Sequence, residues 1–166
     1  MDLQSLPERT CIGGIWFRQD AFGGFVPENP ENIPRKIRVR TPPDCLPLLA
    51  HIRREKQEIF MVITLDGANQ VIQIHEATKG LVNQCHIHPR ETYVCAVEDR
   101  AVNIIVAHNH PSGTLEPSPE DLITTRRLAE SGRLLGIPLL DHFIVSAEGY
   151  SSLRERFPDY FNPGVR

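Results

Sequence analysis

The sequence lacks a long hydrophobic run, a paired-cysteine motif and a secretion signal. A membrane-spanning helix needs about 20 consecutive apolar residues, and the longest apolar runs here are short, strand-like pieces such as 102–107. The N-terminus has no basic region followed by an apolar stretch, so we expect no signal peptide. The four cysteines are scattered without a CxxC pair, which indicates reduced thiols in a cytoplasmic protein.

Basic and aromatic residues are also scarce. Eighteen basic and 21 acidic residues give a net charge of −3, which argues against a strongly cationic nucleic-acid-binding protein but is compatible with a local basic patch. Aromatic residues make up 7% of the chain, so the core must rest on Leu, Ile and Val. At 166 residues, we expect a single α/β domain that is stable without disulfides and does not enter a membrane.

Glycine and proline divide the chain into three parts. Residues 1–35 contain two Gly-Gly pairs and four prolines, which predicts an irregular N-terminal arm with at most short strands around 12–17. Residues 36–155 alternate between strand-like and helical patterns and form the predicted domain. Residues 156–166 are polar, contain two prolines and are expected to form a C-terminal tail.

Within the domain, apolar patterns predict strands that alternate with helices. The helix starting after Ser118 has the clearest signal, because Pro119 suits its first position and Asp121 follows three residues after the cap. Gly136 and Pro138 end that helix. The other predicted helices are 44–56 and 89–101, and the predicted strands are 36–40, 58–65, 70–74, 81–86, 103–107, 139–145 and 150–153.

Two histidines follow the strand predicted at 103–107. Residues i and i+2 of an extended backbone point to the same side, so His108 and His110 can reach one metal ion. The turn-rich loop 111–117 can fold Asp121, in the first turn of the next helix, back over the strand end. Two imidazoles and one carboxylate leave the fourth position of Zn²⁺ to water, which is typical of catalytic zinc and lowers the pKa of that water to about 7.

A hydrolytic site also needs a proton carrier and a donor to the oxyanion. Glu58 starts an apolar strand, where partial desolvation would raise the pKa of its carboxyl toward the range of a general base. Glu55 lies close in sequence and is the alternative base. The hydroxyl of Ser118, or the metal, can stabilise the oxyanion.

A second HxHP segment begins at His86 and has the same spacing to Asp99. Its spacer is predicted to be a continuous helix, which would carry Asp99 about 15 Å from the histidines. We therefore interpret His86 and His88 as ordinary polar residues, while Cys85 nearby leaves a second metal site as the less favoured alternative.

Asp141 and His142 have two interpretations of equal weight. They form a pair that orients a metal ligand, or His142 is simply a satisfied histidine at the start of a strand.

The pattern His108-x-His110-Pro111, with Ser118, Asp121 and an upstream glutamate, resembles the JAMM (MPN+) metalloprotease signature. The wider sequence is similar to the RadC family over about residues 37–155, and the segments that carry this similarity are 88–91, 108–113, 125–128, 134–137 and 140–142. The resemblance implies an α/β fold of the JAB/MPN-like (cytidine-deaminase-like) type, a mixed curved β-sheet flanked by helices. It implies Zn²⁺ on His108, His110 and Asp121, Glu58 as the catalytic glutamate and Ser118 as the residue assisting the oxyanion.

The resemblance also implies a zinc-dependent peptidase or isopeptidase, whose partner is a peptide or protein-conjugate substrate. Two other functions stay open. A DNA-associated protein, either a repair accessory or a nuclease, is supported here only by the basic pairs 53–54 and 126–127. A zinc-stabilised interaction module without turnover is the third hypothesis.

Overall fold

The N-terminal part contains more β-structure than its glycine and proline content predicts. The structure is a computed structural model that describes the backbone of 9–12, 15–19 and 25–27, and backbone with side chains for 37–79 and 87–162. Three strands, β1 (Arg9–Ile12), β2 (Ile15–Gln19) and β3 (Phe25–Pro27), pair antiparallel in that order. Only short strands around 12–17 were expected, but Gly-Gly lies between β1 and β2 along the chain, and this pair favours hairpins.

A five-stranded mixed sheet forms the centre of the remaining described residues. Its strands are β4 (Ile59–Leu65), β5 (Val71–Lys79), β6 (Asn103–Asn109), β7 (Leu139–Val145) and β8 (Tyr150–Ser152), in the spatial order β5-β4-β6-β7-β8. Strands β6 and β7 are parallel, and the other neighbouring pairs are antiparallel. The central position of β4 and β6 explains why their sequences are almost continuously apolar, since both faces are covered.

Helices pack on both faces of this sheet. Three α-helices, α1 (Pro89–Glu98), α2 (Pro119–Leu135) and α3 (Leu153–Arg156), contribute to one buried apolar cluster with alternate residues of β4 and β6. The intervening strand residues form a second cluster with the 3-10 helix Pro42–Ile52. The predicted class, a mixed sheet flanked by helices in one domain, is therefore confirmed. No helix within the described residues combines the length and apolar character needed to cross a bilayer.

Several predicted boundaries were wrong. In place of the strand at 36–40, the described residues show a single bridge between Arg38 and Gln70. The helix expected at 44–56 is a 3-10 helix that begins at Pro42 and ends at Ile52; Pro47 inside it lacks the N–H donor that an α-helix needs at that position. The strand predicted at 81–86 lies outside the described residues.

Helix α2 has well-defined ends and a close contact with α1. Its first residue follows Ser118, as predicted, and it ends at Gly136, whose φ of +71° lies in the left-handed region that suits glycine. A Cβ atom on Gly132 would collide with the Tyr93 hydroxyl and lie 2.5 Å from the carbonyl oxygen of Ile137. The two helices therefore approach closely at Gly132, where the Tyr93 hydroxyl also donates a hydrogen bond to the carbonyl of Leu128 (2.8 Å).

Candidate metal centre

The end of the central strand β6 positions the two histidines. This strand continues two residues beyond its predicted end, so His108 lies within it and pairs with Phe60 of β4 and Ile144 of β7. The backbone N–H of His110 donates to the carbonyl of Val145 (2.9 Å), which keeps the chain extended one residue past β6. Both rings therefore lie on the same face of the sheet.

The first turn of α2 brings a carboxylate to the two rings. Nε2 of His108 lies 3.2 Å from Oδ1 of Asp121, and Nε2 of His110 lies 3.4 Å from Oδ2. The two Nε2 atoms are 2.9 Å apart. In the described part of the chain, these residues form the only group of three His, Cys, Asp or Glu whose candidate ligand atoms all lie within 4.8 Å of one another. The structure thus brings the predicted ligands together, and their binding of an ion stays a prediction.

The donor set suits Zn²⁺. Nδ1 of His110 lies 3.0 Å from the carbonyl oxygen of Thr114 and must donate to it, so in the neutral ring the lone pair is on Nε2, facing the cluster. In a tetrahedral site with bonds of about 2.0–2.1 Å, ligand atoms are about 3.3–3.4 Å apart. The separation of the two Nε2 atoms, 2.9 Å, and the distance from each to its nearer carboxylate oxygen, 3.2 Å to Oδ1 and 3.4 Å to Oδ2, are close to this spacing.

The electrostatics also match a site for a cation. Burial alone would raise the pKa of Asp121, but interactions with His108, His110 and Ser118 outweigh burial and hold this pKa far below its ordinary value. Burial alone would lower the pKa of His110, yet the Asp121 carboxylate, the Thr114 carbonyl and the charge of Glu58 raise it overall. The cluster therefore carries a carboxylate and attracts positive charge.

Ser118 contacts Asp121 on the protein side of the cluster. Its hydroxyl donates to Oδ2 of Asp121 (2.7 Å), and its Oγ accepts from the Asp121 backbone N–H (3.1 Å). The backbone N–H of Ser118 donates to the same Oδ2 (2.7 Å). These reciprocal hydrogen bonds orient the carboxylate of Asp121. The sequence predicted only that Ser118 assists the oxyanion, so this orienting role is an addition from the structure.

Glu58 and Glu55 differ in their surroundings. Glu58 directly precedes β4, is half-buried, and its charge acts on His110. Glu55 is exposed and lies 3.8 Å from the ammonium group of Lys79. Of the two, Glu58 is therefore the carboxylate associated with the metal-ligand cluster.

Asn109, which our sequence analysis left without a role, anchors the segment that carries Glu58. Its side chain is fully buried, and its Oδ1 accepts from the backbone N–H of Ile59 (2.7 Å). Its Nδ2 donates to the carbonyls of Glu55 (3.2 Å) and Gln57 (3.0 Å). One feature of the sequence pointed to this role. Asn109 lies between His108 and His110, so its side chain lies on the opposite face of an apolar strand, where a buried amide needs hydrogen-bond partners.

His142 contacts a predicted ligand, whereas Asp141 does not. Nε2 of His142 lies 2.8 Å from Nδ1 of His108, and burial lowers the pKa of His142 well below its ordinary value. The carboxylate of Asp141 instead accepts from the backbone of His142 and Arg154 and from the Ser152 hydroxyl. Of the two interpretations of this pair, orientation of a ligand fits His142 alone.

The described part of the second HxHP segment has a different role. His88 is the N-cap of α1, and its Nδ1 accepts from the backbone N–H of Arg90 (3.2 Å). Asp99 follows α1 and contacts Nε2 of His75 and the hydroxyl of Thr64, both at 2.6 Å. Residues 85 and 86 lie outside the described part.

Comparison with known proteins covers the part of the chain that contains this cluster. A family model described as RadC-like JAB domain matches residues 39–157. The chain belongs to the RadC-like JAB domain family. The matched range contains every residue of the cluster and its contacts described above, and the resemblance stated from the sequence is confirmed.

The RadC-like JAB chain is also similar to curated proteins of known sequence. A UPF0758 protein of Methanospirillum hungatei is 46% identical over 121 residues, which are 72% of this chain and 54% of the relative. A UPF0758 protein of Clostridium perfringens is 42% identical over 122 residues, 73% of this chain and 54% of the relative. One from Staphylococcus aureus is 42% identical over 121 residues, 72% and 53% respectively. The chain thus spans about half the length of the curated relatives it matches.

Proposed function

We propose that this RadC-like JAB domain is a zinc-dependent hydrolase of peptide or isopeptide bonds. The observation that supports this most directly is the convergence of His108, His110 and Asp121 at the end of β6, beside Glu58. When bound, Zn²⁺ supplies a Lewis acid that polarises a carbonyl and lowers the pKa of a water ligand to about 7. We propose a peptide or protein conjugate as the substrate.

The residues of the site have complementary tasks in this proposal. Glu58 accepts a proton from the attacking water as the new C–O bond forms, and it returns that proton to the amine nitrogen as the C–N bond breaks. Ser118 orients the Asp121 carboxylate through the observed hydrogen bonds. We propose that its single hydroxyl hydrogen turns from Oδ2 of Asp121 to the developing oxyanion, while the Ser118 backbone N–H continues to hold that carboxylate oxygen. No redox partner is required, because water and one amide give one acid and one amine.

The DNA-associated alternative receives little support from the two basic pairs. Arg53 donates to the carbonyls of Ser146 and Ala147, both at 2.9 Å, so its guanidinium ties the 3-10 helix to the turn after β7. Arg126 is paired with Glu130 on the same helix at 3.2 Å. Phosphate binding at Arg53 or Arg126 would have to compete with these contacts.

Glu58→Gln is the direct test. We expect the variant to retain one Zn²⁺ per chain by elemental analysis, and to lose at least about 10²-fold in hydrolysis of isopeptide-linked and linear peptides, because only the proton carrier is removed. Glu55→Gln is the matched control and should retain activity. A zinc-loaded wild type that cleaves no substrate of either type would instead support an interaction module, and an active Glu58→Gln variant would reject Glu58 as the base.

A further inference from the structure

A chain of buried hydrogen bonds links Asp121 to His108 through the side chains of Thr125 and His142. The Thr125 hydroxyl lies 2.7 Å from the backbone carbonyl oxygen of Asp121 and 2.7 Å from Nδ1 of His142. Nε2 of His142 lies 2.8 Å from Nδ1 of His108. Thr125 and His142 are fully buried, and the His108 side chain is 1% exposed, so no solvent molecule competes for these contacts.

The chemistry of the end group fixes the direction of every bond in this chain. A carbonyl only accepts, so the single hydroxyl hydrogen of Thr125 goes to Asp121. The Thr125 oxygen must then accept from Nδ1 of His142. A fully buried imidazole without a carboxylate partner is neutral and carries one proton, so its Nε2 is a bare acceptor.

His108 is the last member of the chain. Its Nδ1 must carry the proton that is donated to Nε2 of His142, and its own Nε2 is left with a lone pair. That lone pair faces Asp121 Oδ1 at 3.2 Å. The nearby carboxylate would otherwise favour the opposite tautomer, in which Nε2 carries the proton, donates it to Asp121 and cannot bind a metal.

We propose that Thr125 and His142 are positioning residues that hold His108 in its metal-binding tautomer. This hydrogen-bond chain begins at the backbone carbonyl of Asp121 and ends at His108, whose Nε2 faces the Asp121 carboxylate. The chain therefore fixes the positions of His108 and Asp121 relative to each other. His110 has a separate lock in the Thr114 carbonyl. The inference rests on the proposed metal site for its purpose, but the tautomer itself exists without a metal.

The test compares Thr125→Val with Thr125→Ser in the full chain. Valine has the shape of threonine but removes the hydroxyl, whereas serine keeps it. We expect His108 to carry its proton on Nδ1 in the metal-free wild type and in the serine variant, as measured by nitrogen-15 NMR of the imidazole rings. In the valine variant this preference should be lost, and Zn²⁺ affinity by chelator competition should fall about 10–100-fold relative to serine.

The outcomes separate this inference from the proposed function. A valine variant with the wild-type tautomer, or a wild type with the proton on Nε2 of His108, would overturn the inference whatever the zinc result. A wild type that shows the expected tautomer but binds no Zn²⁺ would reject the metal site and retain the hydrogen-bond chain. If Thr125→Val fails to fold, His142→Gln, which can still accept and donate, is compared with His142→Leu by the same two measurements, and equal results for the two would overturn the proposal.

Discussion

Two segments of this chain share one spacing and differ in structure. Both read His-x-His-Pro, and in both an aspartate follows eleven residues after the second histidine. At the segment that begins with His108, the side chains of His108, His110 and Asp121 converge on a common point. At the other, His88 caps α1 while Asp99 pairs with His75 on a different strand. Spacing alone therefore does not determine whether the side chains converge.

The spacers explain the difference. After Pro89 the chain enters α1 at once, and the ten residues of this helix separate His88 from Asp99 by about 15 Å. After Pro111 the chain forms a loop in which the N–H of Gly113 bonds back to the carbonyl of His110 (3.0 Å), and α2 begins only at residue 119. A loop can return to its start, whereas a helix carries its end away.

The largest expected effect concerns metal content. His110→Ala removes one of the three converging donors, so we expect loss of stoichiometric Zn²⁺ by elemental analysis. His88→Ala is the matched control: it should leave the zinc content unchanged and lower the free energy of unfolding by about 1 kcal/mol, through loss of the α1 cap. One Zn²⁺ per chain in His110→Ala would remove the distinction between the two segments.

The next effect exchanges the middle residues of the two segments. Asn109→Ile should lower the free energy of unfolding by about 2–4 kcal/mol in denaturant titrations, since the buried N–H of Ile59 and two carbonyls lose their partner. Ile87→Asn should also destabilise, because Ile87 is buried in the apolar cluster below α1. Unchanged stability of Asn109→Ile would show that the two positions are interchangeable.

The smallest effect is a pH dependence of the second segment. Burial alone would raise the pKa of Asp99, but hydrogen bonds from Thr64 and His75 hold it below its ordinary value. A carboxyl whose pKa is lower in the folded chain stabilises the fold above about pH 4, its unfolded value, and this contribution is lost as the pH falls through the folded pKa. Asp99→Asn should therefore cost about 1–2 kcal/mol at pH 7 and flatten the loss of stability below pH 4.

The control for this measurement is Glu98→Gln, which changes an exposed carboxylate one residue earlier. Its acid unfolding curve should follow that of the wild type. If the curve of Asp99→Asn also ran parallel to the wild type, the pairing of Asp99 with His75 would contribute nothing to stability in acid.

Features that depend on neighbouring residues could be predicted from the sequence. The start of α2 follows from Ser118, Pro119 and Asp121, all within one helical turn. The grouping of His108, His110 and Asp121 depends on one short loop, so the turn residues of 111–117 were sufficient to anticipate it. Strands β4, β6 and β7 were visible as apolar runs, and the family resemblance supplied the mixed sheet flanked by helices.

Features that depend on distant partners were predicted only as open alternatives or not at all. Asn109 bonds to Ile59, 50 positions away, and had no predicted role. His142 bonds to His108, 34 positions away, and orientation of a ligand was one of two interpretations that the sequence left open. The alternation at 36–40 looked like a strand, but pairing depends on what lies alongside, and the described neighbour contributes one bridge at Gln70. Such contacts are set by tertiary packing, on which local sequence patterns carry no information.

The close approach of α1 and α2 at Gly132 affects the site from a distance. Eleven residues of rigid helix separate Gly132 from Asp121, a lever arm of about 16 Å. A tilt of about 4° at the glycine end would displace the carboxylate by about 1 Å, as much as separates a working geometry from a poor one. The absence of a Cβ atom at Gly132 therefore helps to determine where the opposite end of α2 places the Asp121 carboxylate.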